Sequence, residues 1–265
     1  MDDAGAIEWI RGDVVEMAAL LREAEADQPV PACPGWNVSD LSRHIAIDFA
    51  AWYPYNISTP AEEWSVEGLM ARFAAVSDDH SQNVDAFESG AAEFLGFCSE
   101  MDLTQPSWSF GGVEPAGWWI RRAGSELTVH LTDAAGVLGR RASTSPEGHC
   151  EAIDEVTSQV MPRLAAFKRV MTQLTGEARG DAPPVPERPA ALTAEDTGRH
   201  WTLFRADDGR SGQQPGVRDD VGAVGSGSSA DVLAWLHGRP MTSELTIDGD
   251  AQLLHDWNLF QRSQL

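Results

Sequence analysis

Glu126 and His130 stand four residues apart in the stretch WWIRRAGSELTVHLTDA, residues 118–134, which otherwise reads as a buried helix. At 100° per residue, Arg122, Glu126, His130 and Asp133 fall at about 0°, 40°, 80° and 20°, so they share one stripe. A carboxylate and an imidazole on a core-facing stripe admit two readings. They are a polar pair satisfied inside the core, or part of a metal site that draws a further ligand from another helix. His44 is the candidate for that ligand. With Asp48 it falls in the same arc as the apolar Leu41, Ile45, Phe49 and Trp52. Two His and one Glu with a fourth position open form a catalytic zinc pattern, and helical bundles build such sites from facing helices. Asp133 or Asp48 would then orient a ligand imidazole. Arg122 pairs with Glu126 at i,i+4 or serves as a cation at the site. The candidate metal ligands are therefore His44, Glu126 and His130, and the candidate catalytic residues are Arg122 and Asp133.

The elements that must carry these residues follow from periodicity and punctuation. Ile7, Ile10, Val14, Met17 and Leu21 recur at helical spacing in a first helix. Asn37, with Asp40 three residues on, predicts a capped start for the His44 helix, which is expected to end near Pro54. A third helical region runs from about Val66 to Met101, broken near Asp78 to Ser81. The Pro/Gly-rich TQPSWSFGGVEPAG leads as a loop into the Glu126 helix, and a last long helix covers about Glu147 to Leu174, kinked at Pro162. Residues 1–176 thus read as a four-helix bundle. Four prolines between Asp181 and Pro189 mark residues 177–196 as a linker. Residues 197–265 read as a small α+β domain. It has strands at HWTLFRA and ELTIDG, a helix from an N-cap at Ser229 to a stop at Gly238, and a closing helix. The glycines near residues 222–228 read as a flexible loop. The fold class is α+β overall.

Composition narrows the function classes. Nineteen basic residues oppose 41 acidic ones, a net charge of −22 in 265 residues. Such a surface argues against nucleic acid and anionic membranes as partners. Three cysteines, Cys33, Cys98 and Cys150, supply neither a disulfide framework nor a Cys-ligated zinc module. No run approaches the ~18 apolar residues of a membrane span, and the acidic N-terminus lacks a signal-peptide core. The expectation is a soluble, cytoplasmic protein, with a homodimer allowed. There is no phosphate-binding glycine motif after a strand and no Ser-His-Asp order for covalent hydrolysis.

VPACPGWNVSDLSRHIA is similar to the P-x-C-P-G-W-x-V-x-D-L-x-x-H opening of the mycothiol-dependent maleylpyruvate isomerase-like family, a branch of the DinB-like four-helix metalloproteins. FGGVEPAGWWIRRAGSELTVHLTDA resembles that family's second block, and SADVLAWLHGRP with LTIDGDAQLL resembles its appended α+β domain. Carried over residue by residue, the family's metal triad falls on His44, Glu126 and His130. The resemblance implies Zn²⁺ or another divalent metal, mycothiol as the thiol cosubstrate, and a small electrophilic substrate. A metal-bound thiolate serves two reactions. It adds to a cis double bond and leaves after rotation, or it forms an S-conjugate or exchanges thiols, as in natural-product assembly of the lincosamide kind. This sequence has Ser125 where many members have His, and Leu131 where many have Arg. The lost cation disfavours a dianion such as maleylpyruvate. Thiol transfer is therefore the leading reading, isomerisation the second, and a non-catalytic metal-binding regulator the third. Trp108 and Phe110, on the loop before the Glu126 helix, and Arg239, in WLHGRP, are the residues expected to help hold the thiol. Trp36, Trp118 and Trp119 are expected to pack.

Overall fold

The computed structural model describes residues 1–176 and 183–262. The chain divides into two compact units, Met1–Thr144 and Ser145–Leu265. The first unit contains α1 (Asp3–Glu23), α2 (Val38–Ala46), α3 (Tyr53–Ser58), α4 (Val66–Arg72) and α5 (His80–Glu100). A two-stranded hairpin, β1 (Pro106–Ser109) and β2 (Gly112–Pro115), then leads into α6 (Trp118–Val137). Helix α1 packs on α5 and α6, and α2 packs on α5, giving the expected bundle. Its core includes Ile10, Met17, Leu41, Ile45, Phe49, Phe87, Phe94 and Trp119, all essentially removed from solvent.

Sequence signals set the start of α2. Asn37 Oδ1 accepts from the Asp40 N–H, and the Asp40 carboxylate accepts from the Asn37 N–H. This reciprocal box satisfies two donors that the first turn leaves unpaired. The end of that helix differs from expectation. The chain continues through a π-helical segment, Ile47–Trp52, into α3, with Pro54 in the first turn of α3. A proline ring clashes with the carbonyl four residues back in an α-helix. The wider π turn removes that conflict, and the Tyr53 N–H reaches back five residues to the Asp48 carbonyl. Pro162 is accommodated in the same way: π-helical Val156–Val160 separates α7 (Pro146–Glu155) from α8 (Met161–Thr175).

The second unit contains α7 and α8 and a five-stranded sheet of order β5-β4-β3-β6-β7. Its strands are β3 (Ala190–Ala194), β4 (Arg199–Arg205), β5 (Ser211–Pro215), β6 (Ala223–Gly227) and β7 (Thr246–Gly249), with helices α9 (Ser229–His237) and α10 (Ala251–Arg262). Strands β3 and β6 are parallel and the other pairs are antiparallel. Several boundaries move. The long helix after Ser145 groups with the sheet, because α7 packs on α9 and α8 on β5. The division therefore falls after Thr144. Ala190–Ala194, expected within the linker, is the central strand β3, buried except at Thr193, and residues 177–182 of that linker lie outside the described residues. The glycine-rich stretch near 222–228 is strand β6. At Gly227 a Cβ would come within 2.7 Å of Leu245, so the missing side chain makes room for a neighbour. Ser228, not Ser229, caps α9, while Gly238 ends it with φ +63° as expected.

Candidate metal centre

Helices α2 and α6 bring His44, Glu126 and His130 together, and the ligand atoms of the three lie within 4.8 Å of one another. Glu126 Oε1 lies 3.2 Å from His44 Nε2 and 3.3 Å from His130 Nε2. A tetrahedron of donors at zinc distances of ~2.0 Å has edges of about 3.3 Å, so these spacings already fit a shared cation. Both imidazoles present Nε2 to the common point, as two ligands must.

The surrounding groups fix that orientation. His130 Nδ1 donates to Asp133 Oδ2 at 2.9 Å, which holds the proton on Nδ1 and leaves the Nε2 lone pair free. Asp133 is fully buried and also accepts from the buried Cys33 Sγ at 3.2 Å. Cys33, His130 and Asp133 also meet the spacing for a cation. An Nδ1–H that donates is not a ligand, so this trio is the support of the first. On the other side, Arg122 pairs with Glu126 Oε2 one turn along α6. The turn around Gly35, whose φ is +88°, sets Trp36 just before the α2 cap. Its ring lies parallel to His130 at 6.1 Å and tilted against His44 at 5.3 Å.

Charge explains the ionisation of the cluster. Burial would raise the pKa of Glu126, but Arg122 and the two imidazoles outweigh it and hold the carboxyl well below its usual range. Burial would lower His130, but Asp133, Cys33 and Glu126 together lift it well above the ordinary 6.5. Surroundings that favour a proton on Nε2 also favour a metal cation there. Asp48, in the π-helical segment, is pushed up to about 6 by burial, against the pull of His44 and with the repulsion of Glu126. Its Oδ2 lies 3.5 Å from His44 Nε2.

The remaining candidates make the following contacts. Trp108 stacks on Trp64 at 4.1 Å, and Phe110 stacks on Trp52 at 5.8 Å. Trp119 donates its indole N–H to the Trp108 carbonyl at 2.9 Å. The expected loop is thus a hairpin whose aromatic residues join Trp52, Trp64, Trp118 and Trp119 in one cluster. The hairpin was hidden by the prolines at both ends, and the serines at 107 and 109 turn inward. Arg239 belongs to the second unit, where its guanidinium donates to the His237 carbonyl at 3.3 Å. Leu131 is completely buried. Trp36 is the site residue that sequence reasoning assigned to packing. Its only signal was its place between the Gly35 turn and the Asn37 cap.

Residues 8–135 match the family described as the mycothiol maleylpyruvate isomerase N-terminal domain. The N-terminal unit belongs to that family. No curated protein sequence matches the chain. Among solved structures, a mycothiol-dependent maleylpyruvate isomerase aligns with 95% of each chain at a TM-score of 0.61 and 16% identity. A histidine-to-alanine variant of that isomerase aligns with the same coverage at 0.60 and 15% identity. The likeness extends the shared fold across both units. Among the described residues no helix is long and apolar enough to cross a membrane.

Proposed function

We propose that this protein is a metal-dependent enzyme that uses mycothiol and transfers or exchanges the thiol on a small electrophilic metabolite. The observation that carries the reading is the spacing of His44, Glu126 and His130, whose facing donor atoms sit 3.2 and 3.3 Å apart. A divalent metal in that position, with zinc the best fit to a His/His/Glu set, would hold a bound thiol as its thiolate near neutral pH. The rest is the work of the chain. Asp133 keeps His130 in the ligating tautomer, Arg122 anchors the second oxygen of Glu126, and Trp36 packs against both imidazoles and limits water at them. Trp108 and Phe110 are proposed to contact the thiol.

Charge favours transfer to a weakly charged electrophile. Asp48, Glu126 and Asp133 put three carboxylates around the cluster, and the charge of Arg122 is engaged by Glu126. A divalent cation together with Arg122 balances those three carboxylates and leaves no positive charge over for a dianion, whereas a neutral electrophile needs none. Thiol exchange in natural-product assembly is one such use, in the cytoplasm. Isomerisation of maleylpyruvate is the second reading, supported by the family of the N-terminal unit and by the fold likeness.

The test begins with metal content by mass spectrometry on protein purified without metal-binding tags, for wild type and His130→Ala. About one metal per chain in wild type, lost in the variant, is the expected result. Turnover of mycothiol with neutral electrophiles and with maleylpyruvate then separates the two reactions. A folded wild type that cannot be loaded with any divalent metal would overturn the proposal.

A further inference from the structure

His44 Nε2 faces two carboxylates, Glu126 Oε1 at 3.2 Å and Asp48 Oδ2 at 3.5 Å. Sequence reasoning left Asp48 as a residue that orients an imidazole. An orienting carboxylate bonds the ring nitrogen that does not bind metal, as Asp133 does with Nδ1 of His130. Asp48 approaches the other nitrogen, so the geometry excludes that role. Nor does it join the ligands, because the donor atoms within metal-sharing distance are those of His44, Glu126 and His130. The open position of the metal is kept. Asp48 Oδ2 is left beside a ligating nitrogen, buried and accepting no hydrogen bond. A buried carboxylate oxygen without a partner is costly unless a donor arrives with the bound molecule.

The two helices run antiparallel at the site, since His44 meets His130 at 4.5 Å between ring centres and Trp52 meets Trp119 at 6.3 Å. Asp48 stands midway between His44 and Trp52, four residues from each. Trp52 in turn stacks on Phe110 at 5.8 Å. A thiol with its sulfur on the metal and its organic part against Phe110 therefore passes Asp48. We propose that Asp48 selects that thiol, its Oδ2 accepting from an N–H or O–H close to the bound sulfur. The chemical class that fits is an N-acylated aminothiol, whose amide N–H lies two carbons from the sulfur. The inference rests on the metal and thiol reading above and adds the residue that tells one thiol from another. The backbone holds Asp48 in place. Its carbonyl closes the π turn by accepting from Tyr53 N–H, and single π turns recur where helices build functional sites. Behind it, α5 approaches so closely that a Cβ on Gly90 would lie 2.1 Å from the Phe49 carbonyl oxygen. The segment therefore cannot draw back from the cluster.

The full chain loaded with Co²⁺ tests this, with thiol binding read from the sulfur-to-cobalt charge-transfer band in the near ultraviolet. Two neutral thiols of equal size are titrated in. N-acetylcysteamine carries the N–H, and methyl 3-mercaptopropionate has no donor besides its thiol. The wild type should bind the first more tightly by about tenfold or more, as a hydrogen bond to a charged group provides. In Asp48→Ala the two affinities should come within about twofold of each other, since only the bond to the donor is lost. A merely structural role would weaken both thiols together and leave their ratio as it was. A ratio preserved in the folded variant would therefore overturn the inference. Equal affinities in the wild type would overturn it without any variant and leave the thiol reading intact. A wild type that binds no Co²⁺, or binds it and gives no band with either thiol, would overturn both readings.

Discussion

Asp133 Oδ2 receives two donors at once, Nδ1 of His130 at 2.9 Å and Sγ of Cys33 at 3.2 Å. A thiol from the turn before α2 therefore steadies the carboxylate that steadies a ligand on α6. Asp133→Ala is expected to lower metal affinity by about 10–100-fold, the range for supporting residues behind a ligand. Cys33→Ala, one bond further out, is expected to cost less than about tenfold by the same reasoning. Chelator competition measures both, and equal losses would show that the thiol does more than support Asp133.

The three cysteines are free and buried. Burial pushes Cys98 up to about 12, so its thiolate is scarce at neutral pH. Native protein at pH 8 should give no rapid reaction with a disulfide reagent. All three thiols should be titrated after denaturation. A burst of labelling before unfolding would contradict the burial described for Cys33, Cys98 or Cys150.

Trp36 is the indole that packs on both imidazoles. Binding of Co²⁺ or Cu²⁺ should quench part of the tryptophan fluorescence, and Trp36→Phe should remove most of that quenching. The comparison is needed because the chain has ten tryptophans. Undiminished quenching in the variant would place the metal near another indole.

Asp13 makes stability depend on pH in a direction opposite to a salt-bridged acid. It accepts from Trp9, Thr128 and Thr144 at 2.8 to 3.0 Å. Burial still raises its pKa from 3.8 to about 6. The fold therefore favours the protonated form. The stability it contributes is complete below pH 3.8 and is lost as pH rises through about 6. Relative to Asp13→Asn, the wild type should gain on the order of 2 kcal/mol between pH 7 and pH 4. Chemical denaturation at several pH values measures the difference, in which the other carboxylates largely cancel. A flat difference would refute the assignment.

Gly90→Ala should destabilise, although alanine is the better helix former by about 1 kcal/mol. The added Cβ would lie 2.1 Å from a backbone oxygen of the π-helical segment, which has no flexible end to move aside. A loss of about 2 kcal/mol or more is expected, seen as a lower denaturation midpoint, with weaker metal binding because the segment continues the helix that carries His44. A neutral or stabilising outcome would mean that the two backbones are further apart.

That His44, Glu126 and His130 face one another was legible because polar residues on an apolar helix stripe need partners. The Asn37–Asp40 box was legible because it is local. What escaped depended on geometry that spacing does not encode. The proline rule says where an α-helix must stop, and is silent about a π turn that lets the chain pass Pro54. That turn decides which side of His44 the Asp48 carboxylate meets. Two adjacent serines hid the true cap at Ser228. The glycines of β6 looked like a loop because their reason for being small, the nearby leucine, is distant in sequence. Likewise, nothing local in residues 146–175 reveals that they pack with the sheet.

The helix running from Val38 to Ser58 holds more residues than its length requires, because the π-helical turn takes in one extra. Its two ends are thus out of phase by about 100°. The first end is set to the ligands and the second to the aromatic core around Tyr53. Deleting a residue such as Ala51 would bring the helix into a single phase and turn one end against the other. Side chains along this helix can be exchanged more freely than its count of residues can be changed. Length, more than composition, keeps the candidate metal ligands in register with the core.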